Sequence, residues 1–231
     1  MSSRRHVNSE NILIVEGEGD RSFLEQLFRV LGLPAEVVLP ATAKDLLDDG
    51  YNTKKGAYHA LEDRLILLQQ ADSSLKRLAI VVDSDHGQDG QGFSKTLNDL
   101  IEIFNDYGYE QDLNYTDNGF VFAHTDQNIK PVGAWVMPNN QDDGAIESWI
   151  QQCFDPTKCH LLPHAQQTVA ALPNRQFTGN NLPKAEIATW LAWQKRPSIG
   201  LYAAVPLLDD QAQPYKDLVN WLQYLFVVQE I

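Results

Sequence analysis

Basic residues are scarce in this chain: 18 Lys and Arg stand against 31 Asp and Glu, a formal net charge of −13. Affinity for nucleic acid is largely neutralisation of phosphates by Lys and Arg. A general electrostatic grip on DNA or RNA is therefore excluded, and such a substrate would need a local basic patch or a partner that presents it. The candidate patches are Lys54–Lys55, Lys76–Arg77, Arg21 and Lys184. Cysteine is scarce as well, limited to Cys153 and Cys159, with His160 directly following. Two thiols and one imidazole do not complete a tetrahedral zinc site, and the spacing matches no finger or ribbon. They read as reduced thiols in a cytoplasmic protein. No stretch approaches the ~20 apolar residues of a membrane span. The polar Met1 to Glu10 carries Arg4 and Arg5 with no apolar run behind them, which reads as a loose tail rather than a signal peptide. Repeats, low-complexity segments and linkers long enough to set off a second domain are missing too.

What the chain does have is a pair of short buried-strand signals, each ending in acid. Ile12-Leu13-Ile14-Val15 is apolar and mostly β-branched, and Glu16-Gly17-Glu18-Gly19-Asp20 follows it. Such a run suits a central parallel strand covered on both faces. The glycines allow a sharp turn, and Asp20 stands where a helix would start, ahead of Phe23, Leu24, Leu27, Phe28 and Leu31 at helical spacing. The second signal is Leu78-Ala79-Ile80-Val81-Val82, which ends in Asp83-Ser84-Asp85-His86-Gly87. In open α/β sheets, ligands bind at the carboxyl ends of strands. Carboxylates gathered there would repel one another by roughly 4 kcal/mol per pair at ~4 Å and an effective dielectric near 20. Such a cluster traps a proton or binds a cation, and an all-oxygen site suits magnesium or manganese. By the same logic, deleting Asp85 could raise the melting temperature of the metal-free protein. A calcium loop does not fit, since counting from Asp83 places Gln88 at the sixth position and Ser94 at the twelfth.

The pattern Glu16-Gly17-x-x-Asp20 after one strand, with Asp83-x-Asp85 after a later one, resembles the Toprim domain. That domain is the metal-binding core of topoisomerases, bacterial primases, ribosomal RNA maturases and overcoming-lysogenization-defect nucleases. Trp135-Val136-Met137-Pro138-Asn139-Asn140, Gly144-x-x-Glu147, Lys184-Ala185 and Thr189-Trp190-Leu191-Ala192-Trp193-Gln194 extend the likeness over nearly the whole chain, to a bacterial Toprim-related family. That family carries a His before the Thr-Trp pair, where this chain has Ala188.

The resemblance implies phosphoryl transfer or phosphodiester hydrolysis with one or two magnesium or manganese ions. Asp83 and Asp85 would ligate metal, Glu16 would serve as ligand or general base, and Asp20 would help to hold a second ion. Glu147 is a further metal candidate, although an acid in the first turn of a helix is favoured by the helix dipole alone. Lys54 or Lys55 would neutralise transition-state charge, and Arg21, Asn140 and Lys184 would contact substrate. Glu18 reads as solvated. No tyrosine-bearing topoisomerase domain and no primase zinc domain is present, so a stand-alone nuclease of DNA or RNA is the leading expectation. A hydrolase of nucleotides or other small phosphates suits the acidity better. A non-catalytic module of a defence or toxin system, with a protein partner or as a homo-oligomer, is the third class.

The rest of the chain predicts the frame. Strands are expected at 37–40 and 78–82, with a hairpin-like pair at 119–123 and 133–137 lying at a sheet edge. Helices are expected over 57–70, 93–104, from 145, and over 165–172, 184–194 and 215–226. Residues 41–56 read as a turn-rich connection, and the Gly- and Asp-rich loop 83–92 as long enough to move over a site. Trp190, Trp193, Trp221, Tyr224 and Phe226 read as core or interface. Together these predict an α/β sandwich with a mostly parallel sheet of four or five strands over residues 9–152. A helical extension over 153–231 would pack back on it as part of one structural unit.

Overall fold

The computed structural model describes residues 10–38, 53–87, 92–158, 160–197 and 199–227. Several sequence expectations fall outside them: the tail, Leu39 and Pro40, the connection up to 52, the middle of the 83–92 loop, and Cys159. Strand β1 (Asn11–Val15) leads into helix α1 (Glu18–Leu31), then β2 (Glu36–Val38), α2 (Thr53–Leu68), β3 (Arg77–Asp83) and α3 (Phe93–Asp106). Three strands follow, β4 (Tyr109–Gln111), β5 (Phe120–His124) and β6 (Val132–Met137). The remainder is helical: α4 (Ile146–Gln152), α5 (Leu161–Ala170), α6 (Leu182–Ala192), a 3-10 segment Leu201–Leu207, and α7 (Gln213–Phe226).

Among the described residues six strands make one sheet in the order β2-β1-β3-β6-β5-β4. The first four run parallel, while β5 is antiparallel to β6 and β4 to β5. The α/β expectation is met, with one strand more than foreseen. The extra strand, β4, has three residues, too few to show alternation against the helix before it. The hairpin reading holds for β5 and β6, with β6 inside the parallel part, but β4 rather than β5 forms the sheet edge.

Alternation along the central strands sorts the helices into two layers. Leu13, Val15, Ala79, Val81, Trp135 and Met137 face α1 and the later helices. Ile12, Ile14, Leu78, Ile80, Val132 and Val136 face α2 and α3. The connection β1–α1–β2 thus lies on one face and β2–α2–β3 on the other, which puts the reversal of winding at the C-terminal ends of β1 and β3. The C-terminal helices belong to the same core as the sheet, because Trp221, Leu222 and Phe226 share one buried cluster with Leu13 and Val81. Gly133 of β6 shows how close that packing is. A Cβ there would come within 2.2 Å of Leu225 Cδ1 and 2.9 Å of Trp221 Cζ2, so α7 can lie on β6 only over a bare backbone. Among the described residues no helix is long and apolar enough to cross a membrane.

Candidate functional site

Glu16 follows the last residue of β1, and Asp83 is the last residue of β3, so neighbouring parallel strands deliver both carboxylates to one rim. A cavity of about 370 Å³ opens there, with Glu16, Asp20, Asp83, Asp85, Glu147 and Lys184 in its lining. Helices α1, α4 and α6, the 3-10 segment and the ends of β1 and β3 meet around it, with Asp85 in the loop just past β3. Helix α1 begins two residues earlier than the sequence suggested, which makes Asp20 its third residue. There Asp20 Oδ2 accepts the Gly17 N–H at 3.0 Å, closing the turn between β1 and α1. Asp83 Oδ1 accepts the Ile146 N–H at 3.0 Å and so fixes the start of α4, which places Glu147 beside it. Glu16 Oε1 accepts the Asp83 N–H at 2.9 Å.

Two lysines enter this group. Lys184 Nζ, from the first turn of α6, stands 3.8 Å from Asp83 Oδ2. Lys54 Nζ lies 2.7 Å from Asp85 Oδ2 and donates to Thr96 Oγ1 at 3.5 Å, with its side chain only 3% exposed. Its position corrects the reading of 41–56 as connection, since Lys54 and Lys55 lie in the first turn of α2. Asp85 has a φ of +59°, the left-handed region that short polar residues tolerate. Its N–H bonds to Gly144 O at 3.0 Å, and the Ser84 hydroxyl accepts Gly144 N–H at 2.7 Å, so the strand-end loop is stitched to the segment before α4.

Burial and mutual repulsion set the protonation of these acids. Desolvation, with Asp85 and Asp20 adding to it against Lys54, pushes the Glu16 carboxyl up to about 7. Burial and then Glu147 raise Asp20 to about 6. Asp83 is driven well above the usual carboxylate range by burial, then by Asp20 and Glu16. Lys184 is pulled down by its own burial, yet Asp83 and Glu147 outweigh that and hold it above its ordinary value. A carboxyl raised in the fold keeps its proton longer there than in the unfolded chain. Stability is therefore fullest below the unfolded values near 4 and is lost as pH rises through about 6 and 7. Melting temperatures measured in EDTA should fall between pH 4.5 and 8, with Glu16 alone contributing on the order of 3 kcal/mol. A melting temperature that is flat across that range would contradict this.

The fit to a divalent cation is chemical. Every acidic donor is an oxygen ligand, as magnesium and manganese prefer. Glu147 Oε2 is buried with no hydrogen-bond partner among the described residues, a costly state that a cation would relieve. As the side chains stand, no three His, Cys, Asp or Glu among the described residues are grouped to hold one ion. Repulsion between bare carboxylates favours such separation, and the lysines draw Asp85 and Asp83 toward themselves.

Other expectations do not converge on the cavity. Arg21 turns outward, where it pairs with Glu25 at 2.9 Å and Glu18 at 3.4 Å; Glu18 itself is 71% exposed, as expected. Asn140 is a brace: its Oδ1 accepts the Val136 N–H at 2.7 Å and its Nδ2 donates to Asn118 Oδ1 at 3.2 Å, leaving no free end for substrate. Lys55 lines a separate depression with Lys95, Asp99 and Glu102. The expectation for Asp85 reverses. Asp85→Ala would leave a buried ammonium without its half-exposed carboxylate, so it should lower metal-free stability by about 1–3 kcal/mol, measured by denaturant unfolding in EDTA. An unchanged or raised midpoint would contradict the pairing.

Sequence reasoning missed Asp143, which accepts Gly87 N–H at 3.0 Å and Phe93 N–H at 2.7 Å and ties the two ends of the loop after β3. Its neighbours Asp142 and Gly144 signal only a turn. It also missed Leu201, which forms part of the cavity wall.

No curated protein and no solved structure matches the chain. One family model, described as "Protein of unknown function (DUF3226)", matches residues 10–227. That span takes in both strand-end acid motifs, α4 and α6, so the chain belongs to the DUF3226 family.

Proposed function

We propose that this protein is a magnesium- or manganese-dependent phosphodiesterase, acting as a stand-alone nuclease in the manner of Toprim-type enzymes. The observation that carries the reading is the meeting of Glu16, Asp20, Asp83, Asp85 and Glu147 with Lys184 in one cavity at the reversal point of the sheet. Asp83, Asp85, Asp20 and Glu147 would hold the cation, which when bound polarises a phosphate and lowers the pKa of a water. Glu16, held near 7, is matched to accept a proton from an attacking water at neutral pH. Lys184 stays charged and balances the negative charge that builds on the phosphate. Lys54 orients Asp85 rather than meeting substrate, because its side chain is buried behind that carboxylate.

Incubation with magnesium or manganese and a panel of single- and double-stranded DNA and RNA, nucleotides and a chromogenic phosphodiester tests this. Cleavage of a nucleic acid and of the diester, abolished by EDTA, is the expected result. Release of phosphate from nucleotides alone would instead favour the small-phosphate hydrolase, which the net charge of −13 suits. Inertness toward every substrate with each metal would overturn the catalytic reading.

A further inference from the structure

A second cleft, of about 470 Å³, lies along α1 from the carboxylate cavity and differs from it in charge. Gln26, Gln194, Lys195, Arg196, Ile199 and Tyr202 line it, and no Asp or Glu does among the described residues. In a chain with 31 acidic residues that is a local reversal of sign. Neither the Lys195 nor the Arg196 side chain makes an ion pair or hydrogen bond among the described residues, unlike Arg21, Lys76 and Lys95, each held by a carboxylate. Arg29 donates to Oε1 of the lining residue Gln26, which adds a third cation to that end of α1. The depression beside Lys54 and Lys55 lacks this character, since Asp99, Glu102 and Asp106 line it as well.

Aromatic surface accompanies the charge. Tyr202 is 42% exposed, and Trp193, next to Gln194, is 39% exposed. Of the aromatics read as core or interface, Trp190 and Trp221 are fully buried, whereas Trp193 and Tyr224 (38% exposed) lie outside the core. Exposed rings beside unpaired cations form the surface on which unstacked bases and their phosphates bind. Bases inside a duplex keep their faces covered, and two or three cations are too few to hold a duplex against a net charge of −13.

The two clefts are also in line. Gly19 borders the carboxylate cavity and Gln26 borders the basic cleft, two turns further along the same face of α1. Seven residues at a rise of 1.5 Å separate them by about 10 Å. A single strand running along α1 bridges that distance within a few nucleotides. Leu201 and Tyr202, adjacent in sequence, face one cleft each and join them on the other side.

The geometry points to a single-stranded nucleic acid as the substrate, its scissile phosphate at the carboxylate cavity and the flanking nucleotides on Lys195, Arg196 and Tyr202. This rests on the proposed phosphodiester site, so the test reads binding apart from cleavage. Fluorescence anisotropy in EDTA would follow labelled DNA and RNA strands of about 12 nucleotides, and the matching duplex, on the full chain. Wild type should bind one or both single strands more tightly than the duplex. The exposed pair Lys195→Glu/Arg196→Glu should weaken that binding at least tenfold and flatten the slope of log affinity against log salt by about 1.4. Tyr202→Ala should weaken it about fivefold or more with little change in slope. Asp83→Asn, which removes a carboxyl from the metal-free cavity, should bind no more weakly than wild type, and the Lys195/Arg196 variant should still turn over the chromogenic diester. Equal affinity of wild type and the Lys195/Arg196 variant, or preference for duplex, would overturn the inference even if the carboxylate site proves active.

Discussion

Glu16→Gln and Asp83→Asn should each cut metal-dependent phosphodiester cleavage by roughly 10³-fold or more, since a metal clamp supplies several kcal/mol of transition-state stabilisation. Both changes keep shape and hydrogen-bond capacity. The Asp83 side chain could still accept the Ile146 N–H, and that of residue 16 could still accept the Asp83 N–H. Because the two residues sit on adjacent strands and share one hydrogen bond, they should act as a unit, with the double variant losing little beyond either single one. Multiplicative losses would mean two independent effects and a site divided differently. Stability should move the other way. The Asp83 carboxyl is costly to ionise where burial, Asp20 and Glu16 surround it. Asp83→Asn should therefore melt at or above wild type at pH 8 in EDTA while losing the gain that magnesium gives wild type. A site kept at such a cost to the empty fold is expected where function requires it.

The second large effect concerns architecture. Trp221→Ala should destabilise the whole chain by about 3–5 kcal/mol, the usual range for emptying a large aromatic site. Trp221 is fully buried, its indole N–H donates to Phe120 O at 3.1 Å, and its ring lies 5.6 Å from that of Trp135. It thus bonds α7 to β5 and β6 at once. Circular dichroism and tryptophan fluorescence should report one shared transition, shifted to lower denaturant in the variant. Two separate transitions in wild type, with only the later one shifted, would mean that residues 153–231 fold on their own.

The strand-end acids were legible in sequence because strand and motif are contiguous: Ile12 to Asp20 and Leu78 to Asp85 each carry both the apolar run and the carboxylates. The buried lysine was only half legible. Lys54 could be named, but its burial behind Asp85 depends on α2 starting before Ala57, and the cap-type residues Asn52 and Thr53 are lost in sequence among the Asp and Gly of a turn-rich stretch. Arg21 and Asn140 look like ligand groups in sequence because a charged or amide side chain looks alike whether it serves a ligand or the protein's own structure. Partners such as Glu25 and Val136 decide which. Apart from Lys184, residues brought in from the C-terminal third were the least visible. Leu201 carries no chemical signature, and Lys195 and Arg196 gain meaning only when Gln26 and Tyr202 are seen beside them. β4 escaped because three residues cannot display a period.

The most direct measurement is a calorimetric titration of manganese into metal-free protein at pH 7.5, repeated on Asp83→Asn. Wild type should bind one or two ions and release protons, because Glu16 still holds a fractional proton near that pH. Asp83→Asn should show neither saturable heat nor thermal stabilisation. Absence of binding to wild type, or equal binding by both proteins, would contradict a divalent site built on β1 and β3.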